Sequence, residues 1–209
     1  MKILVTAGPT REFVDSVRFL SNRSTGKMGY AIAEAGRNRG HEVRLVSGPV
    51  SLEAPDVDEK LDIVSAADML SAVKSNIEWC DVLVMTAAVA DWRPSERRDQ
   101  KIKKGADSFH LELVPTQDIL KAIAPLKGDR LFVGFAADDG DAAAEAERKL
   151  EEKQLDAIVS NDISRDDAGF EVDTNKVVIF QRHGAPIDIP LMSKRELGVE
   201  IIKYIERAV

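Results

Sequence analysis

Lys2-Ile-Leu-Val-Thr-Ala-Gly-Pro-Thr10 is an apolar run that stops at a Gly-Pro pair. A short, unbroken apolar stretch bounded by turn residues is the pattern of a strand buried on both faces. Residues 2–6 are therefore predicted as a first strand. Moving outward, Tyr30–Ala35 continues as a helix that Gly40 ends, and Glu42–Val46 and Leu61–Val64 read as two further strands. Ser65 with Asp68 has the spacing of a capping box opening a helix to about Ile77. Asp81–Thr86 repeats the apolar shape of the first strand. Apolar runs alternating with amphipathic ones are the mark of βαβ units. The expected fold is α/β: a Rossmann-like, mainly parallel sheet with helices on both faces.

Residues 92–107, WRPSERRDQKIKKGAD, break that rhythm and are predicted as a mobile, charged loop. Beyond it, Ser108–Val114 alternates like a half-exposed strand, and Thr116 is placed as the cap of a helix through Ala124. Leu131–Phe135 and Asp156–Ser160 are strands on either side of an alanine-rich helix from Asp141 to about Lys153. Lys176–Gln181 and Pro186–Pro190 form a hairpin around His183-Gly184, and Ser193 with Glu196 opens the last helix with a second capping box. No repeat or linker divides the chain, so 1–209 reads as one domain.

Composition narrows the function. Of 209 residues, 29 are Lys or Arg and 36 Asp or Glu, a net charge of -7 that argues against a nucleic-acid partner. The single cysteine, Cys80, excludes a disulfide framework and reads as an inert buried thiol. No apolar stretch approaches the roughly 20 residues needed to span a bilayer. With no signal segment before the first strand, a cytoplasmic protein is expected.

In an open parallel sheet, ligands sit beyond the carboxyl ends of the strands, where strand order reverses. The unusual residues of this chain follow such ends. Gly8 lies in the turn after the first strand, and Ser24, Gly26 and Gly29 precede or open a helix. This segment is either a phosphate cradle, with helix N–H groups aimed at an anion, or an ordinary glycine-rich turn. It matches neither GxGxxG nor the P-loop pattern. Ala87-Ala-Val-Ala-Asp91 leaves room beside one carboxylate, so Asp91 either helps hold Mg²⁺ or begins a turn. Lys101-Ile-Lys-Lys104 suits a lid over a triphosphate, or a solvated charge run. Lys149 and Lys153 share a helix face and can reach one anion, although Glu145 could pair with Lys149. Phe135 follows Gly134 as a platform for a base or as core, and Asn161 ends a later strand. His41, His110 and His183 have no triad or metal spacing. The chemistry is therefore expected to rest on positioning and charge neutralisation instead of a protein nucleophile.

Taken in order, VTAGPTRE, VRFLSNRSTGKMG, AAVADWRP, KIKK, GFAA and SNDIS resemble the phosphopantothenoylcysteine synthetase family over nearly the whole chain. That family often forms the C-terminal half of a bifunctional flavoprotein. Without the flavin-binding half, this chain is expected to be a stand-alone synthetase. The resemblance implies activation of the 4′-phosphopantothenate carboxylate by CTP, or ATP in eukaryotes, followed by displacement of the nucleotide by the amine of cysteine. It implies Asn22, Lys101 and Arg18 as catalytic residues, with Asn22 in the cysteine step. Arg18, Asn22, Ala87 and Ala88 would contact phosphopantothenate. Asp91, Lys101, Gln117, Asp118, Ile119, Leu120, Phe135, Lys149 and Lys153 would contact the nucleotide. Mg²⁺, a homodimer with shared sites and a separate decarboxylase partner are implied likewise, with Ser108–Val114 and the late hairpin as dimer elements.

Thr25, Trp92, Gln100 and Asp138-Asp139 depart from the family's usual residues, which leaves nucleotide and metal affinity open. Two rival readings are an NAD(P) oxidoreductase, disfavoured because residues 6–12 lack GxGxxG, and a non-catalytic nucleotide sensor. Asn22, Arg18, Asp91 and Lys101 together argue against the sensor.

Overall fold

The computed structural model describes residues 1–105, 108–138, 142–162 and 171–209. Asp139, Asp141 and the end of the charged loop at 106–107 lie outside them. The chain runs through β1 (Lys2–Ala7), β2 (Arg11–Phe13), β3 (Phe19–Ser21), α1 (Lys27–Asn38), β4 (Glu42–Ser47) and β5 (Glu59–Asp62). It continues with α2 (Ala66–Asn76), β6 (Val82–Met85), β7 (Trp92–Pro94), β8 (Leu113–Pro115) and α3 (Ile119–Ile123). The last part comprises β9 (Leu131–Asp138), α4 (Ala142–Glu152), β10 (Ala157–Asp162), β11 (Thr174–Gln181), β12 (Ile187–Ser193) and α5 (Lys194–Ala208).

Eight strands form one sheet in the order β12-β11-β10-β9-β6-β1-β4-β5. Neighbours from β10 to β5 are parallel, whereas β11 and β12 are antiparallel additions at one edge. On β1, Ile3, Val5 and Ala7 face the layer of α1 and α5, while Leu4 faces that of α2, α3 and α4. All four are fully buried, which is why this strand does not alternate in sequence. The chain leaves β1 toward β4 and returns to its other side as β6. The crevice expected at such a reversal therefore opens at the carboxyl ends of β1 and β6.

Local chemistry fixes the helix starts. The Ser65 and Ser193 hydroxyls accept from the Asp68 and Glu196 N–H groups, and each carboxylate returns a bond, so both predicted capping boxes are present. Helix α1 begins at Lys27 behind Gly26, within the segment expected to open it. The cap of α3 is Asp118, whose side chain accepts from Lys121 N–H. Thr116 lies two residues before that cap, and its hydroxyl instead donates to Ala90 O at 2.6 Å.

Two short hairpins correct the reading of the loops. Trp92–Pro94, expected as irregular, pairs antiparallel with Leu113–Pro115. Only this end of the 108–114 segment is a strand. Arg11–Phe13 pairs with Phe19–Ser21, and β2 packs on β7. Among the described residues no helix is long and apolar enough to cross a membrane. Cys80 is 3% exposed, and burial pushes its thiol up to about 11 against the opposing pull of Arg130.

Candidate active site

The first turn of α1 lies against the ends of β1 and β6, and Gly29 permits the approach. A Cβ at Gly29 would stand 2.5 Å from both Ala7 Cβ and Thr86 Oγ1. Gly8, with φ +76°, turns the chain so that its carbonyl accepts from Ala88 N–H at 3.0 Å. The structure thus gives Gly8 a backbone role, and it lines neither cavity described below.

Two adjoining cavities occupy the crevice. The larger, about 570 Å³, is lined by Asn22, Ala87, Ala88, Asp91, Phe135, Lys149 and Lys153, and by Gln117, Asp118, Ile119 and Leu120 at the start of α3. The smaller, about 150 Å³, is lined by Ser24, Gly26, Gly29, Ala87, Ala88, Phe135 and Asn161. Ala87, Ala88, Phe135, Ala136 and Ala137 border both. Residues spread over 140 positions of sequence thereby meet in one place, as their positions at strand ends required.

Each polar group is held in a defined way. Asn22 Nδ2 donates to Ala88 O at 2.9 Å, which fixes the amide against the shared wall. Lys149 Nζ lies 3.1 Å from Glu145 Oε1, and Lys153 Nζ 3.1 Å from Asp118 Oδ2. Asp91 contributes a carboxylate to the larger cavity. Among the described residues no three His, Cys, Asp or Glu side chains converge on one point. A metal here would take most of its ligands from phosphate and water, the usual habit of Mg²⁺.

Two expected site residues sit elsewhere. Arg18 and Lys101 line neither cavity. Arg18 Nη2 donates to Ile102 O at 2.5 Å and pairs with Asp15, so the backbone next to Lys101 is tied to the β2–β3 turn that carries Arg18. Three residues that the sequence reading passed over line the smaller cavity: Lys27, Asn175 and Lys194. Lys194 is 6% exposed, and its ammonium donates to Val172 O at 2.6 Å. Burial, helped by the nearby Lys27 charge and opposed by Asp173, lowers it to about 8. No motif marks Lys194, because it looks like an ordinary first-turn lysine inside a capping box.

Comparison with known proteins identifies the family. The model of the DNA/pantothenate metabolism flavoprotein C-terminal domain family matches residues 1–209. The chain belongs to that family. It is 47% identical over 204 residues to the coenzyme A biosynthesis bifunctional protein CoaBC of Bacillus subtilis, covering 97% of this chain and 50% of that protein. The CoaBC of Escherichia coli is 41% identical over 202 residues, with 95% and 50% covered. A crystal structure of the C-terminal domain of CoaBC superposes with a TM-score of 0.85 at 42% identity, covering 99% of this chain and 94% of that one. As a member of the flavoprotein C-terminal domain family, the chain spans about half the length of the curated relatives it matches.

Proposed function

We propose that this chain is a phosphopantothenate–cysteine ligase of coenzyme A biosynthesis, and that CTP is its co-substrate. The observation that carries the reading is Asn22, fixed on Ala88 at the wall between two cavities in a chain matched end to end by the CoaBC C-terminal family. One cavity suits a nucleotide: the α3 backbone can read a base edge, and Lys149 and Lys153 neutralise phosphate. In the first step a carboxylate oxygen of 4′-phosphopantothenate attacks the α-phosphorus of the triphosphate and pyrophosphate leaves. In the second, the cysteine amine attacks the acyl carbon, the C–O bond to CMP breaks, and the amine loses a proton. Asn22 offers a neutral amide donor to the acyl oxygen without trapping it as a salt. Asp91 would hold Mg²⁺, which supplies charge neutralisation at the phosphates.

Arg18 on the β2–β3 turn and Lys101 on the segment tied to it fit this scheme as cations supplied from outside the crevice. Val17 and Trp92 are 57% and 54% exposed on the paired hairpins, together with Phe19 and Leu113. A second copy covering these side chains would bring the cation patch to a neighbouring site, making the enzyme a homodimer. The reaction is then cytoplasmic, and its product passes to a decarboxylase. The test is pyrophosphate release with 4′-phosphopantothenate and cysteine, comparing CTP, ATP, GTP and UTP. Sustained release, beyond one equivalent per site, that needs both substrates and is fastest with CTP is expected. Release with none of the four triphosphates would overturn the ligase reading.

A further inference from the structure

Asp15, at the turn between β2 and β3, is a carboxylate with 0% exposure. Its Oδ1 accepts from the Val17 and Arg18 N–H groups, both at 2.8 Å. That is sufficient to close the turn. Its Oδ2 looks the other way. It accepts from Ile102 N–H at 3.0 Å and faces Arg18 Nη2 at 2.9 Å. Since Arg18 Nη2 also donates to Ile102 O, one carboxylate and one guanidinium together hold both backbone polar groups of Ile102. Upstream, Arg98 N–H donates to Val14 O at 3.1 Å and the Arg97 guanidinium covers the Phe13 ring at 5.1 Å.

We propose that Asp15 is a positioning residue that fixes Arg18 and the backbone beside Lys101 as one preset pair of cations for a phosphorylated substrate. This rests on the roles assigned above to Arg18 and Lys101. Asp15 itself touches no substrate. A lysine on an untethered polar segment must lose backbone freedom each time it binds an anion, and anchoring its neighbour removes that cost beforehand. Burial raises the Asp15 carboxyl, but the Ile102, Val17 and Arg18 N–H donors and the Arg18 charge outweigh it and hold the group at about 2. The anchor is therefore ionised throughout the neutral range.

The test uses the full chain with Asp15→Asn. One amide oxygen still serves the turn, but an NH₂ then faces the Ile102 N–H and Arg18, so the tether fails while the hairpin stays. Ile102→Pro cuts the same bond from the other side and serves if the first variant does not fold, read only at Lys103 and Lys104 because trypsin does not cleave a Lys–Pro bond. Trypsin cleavage after Lys101, Lys103 and Lys104, all exposed, is followed by mass spectrometry beside the thermal midpoint. The expected result is cleavage about tenfold faster with the midpoint nearly unchanged, and pyrophosphate–CTP exchange about tenfold slower through a higher KM. Asp15→Glu, which keeps the charge, should restore part of the exchange. Parental cleavage rates in a folded variant would overturn the proposal, as would faster cleavage with unchanged exchange. An inactive parent protein would count against the ligase reading instead, and the cleavage rates would still decide the tether.

Discussion

Lys153 Nζ stands 3.1 Å from Asp118 Oδ2, so a cation just past the end of α4 is joined to the residue that caps α3, and both line the larger cavity. Asp118 thus does two jobs, and they can be separated. Asp118→Asn keeps a capping oxygen for Lys121 N–H, whereas Asp118→Ala loses it. The alanine variant is expected to melt about 3 °C lower, the shift set by about 1 kcal/mol in a chain of this size, and the asparagine variant close to the parent. A thermal scan distinguishes them. Equal losses would mean that the ion pair, not the cap, holds this corner.

Lys101→Ala should impair the first half-reaction. Losing one contact that stabilises charge developing on pyrophosphate costs on the order of 3 kcal/mol, or about two orders of magnitude in rate. Labelled pyrophosphate exchange into CTP without cysteine measures this step directly. Exchange at the parental rate would leave the lysines as a solvated surface.

If two copies share each site, Lys101→Ala and Asn22→Asp should complement each other. Random reassembly of the two inactive proteins puts both intact residues into one site of each mixed dimer. Activity should recover to about a quarter of the parent's. No recovery, with mixed dimers demonstrated, would show that each chain uses its own Lys101.

Asn22→Asp should form the acyl-cytidylate but pass it on about a hundredfold more slowly. The carboxylate cannot donate to the acyl oxygen, and it repels the phosphate of the intermediate. Mass spectrometry of the quenched reaction should find 4′-phosphopantothenoyl-CMP in the variant and little in the parent. If exchange is lost as fully as in Lys101→Ala, Asn22 belongs to the first step.

Glu206 ties α5 to the end of α1 through Arg39 at 2.6 Å and His41 at 2.9 Å. The Arg39 guanidinium, aided by His41 and opposed by burial, holds its carboxyl down at about 2. A group depressed on folding stabilises the protein above its unfolded pKa and loses that contribution as pH falls through the folded value. Glu206→Gln should therefore melt about 3 °C below the parent at pH 6, with the gap closing toward pH 2. A gap independent of pH would assign the effect to packing.

The centre of the sheet was legible because its inner parallel strands are apolar runs that end at small residues. The edge strand β5, Glu-Lys-Leu-Asp at 59–62, is not, and the sequence placed it two residues late, at 61–64. The short hairpins were not legible. Arg11–Ser21 has no alternating pattern, and its turn is made by the Asp15 side chain, so no turn dipeptide announces it. Strands of three residues, such as β7 and β8, carry too little periodicity to read. Thr116 was taken as a cap from its residue type, but the helix starts at Ile119 and the cap falls on Asp118, an equally good capping residue two positions later. Within the site, the residues gathered by the two cavities are those that follow strand ends. Asn175 and Lys194 come from β11 and the start of α5, and only the folded sheet brings them to the smaller cavity.

Phe135 borders both cavities together with Ala87, Ala88, Ala136 and Ala137, so the two compartments share one wall. A ligand that shifted that ring from one side would reshape the other compartment. Any resulting change in affinity would act by the same factor in both directions. A small molecule lodged in the 150 Å³ chamber would accordingly act on nucleotide binding without competing for the nucleotide's own space.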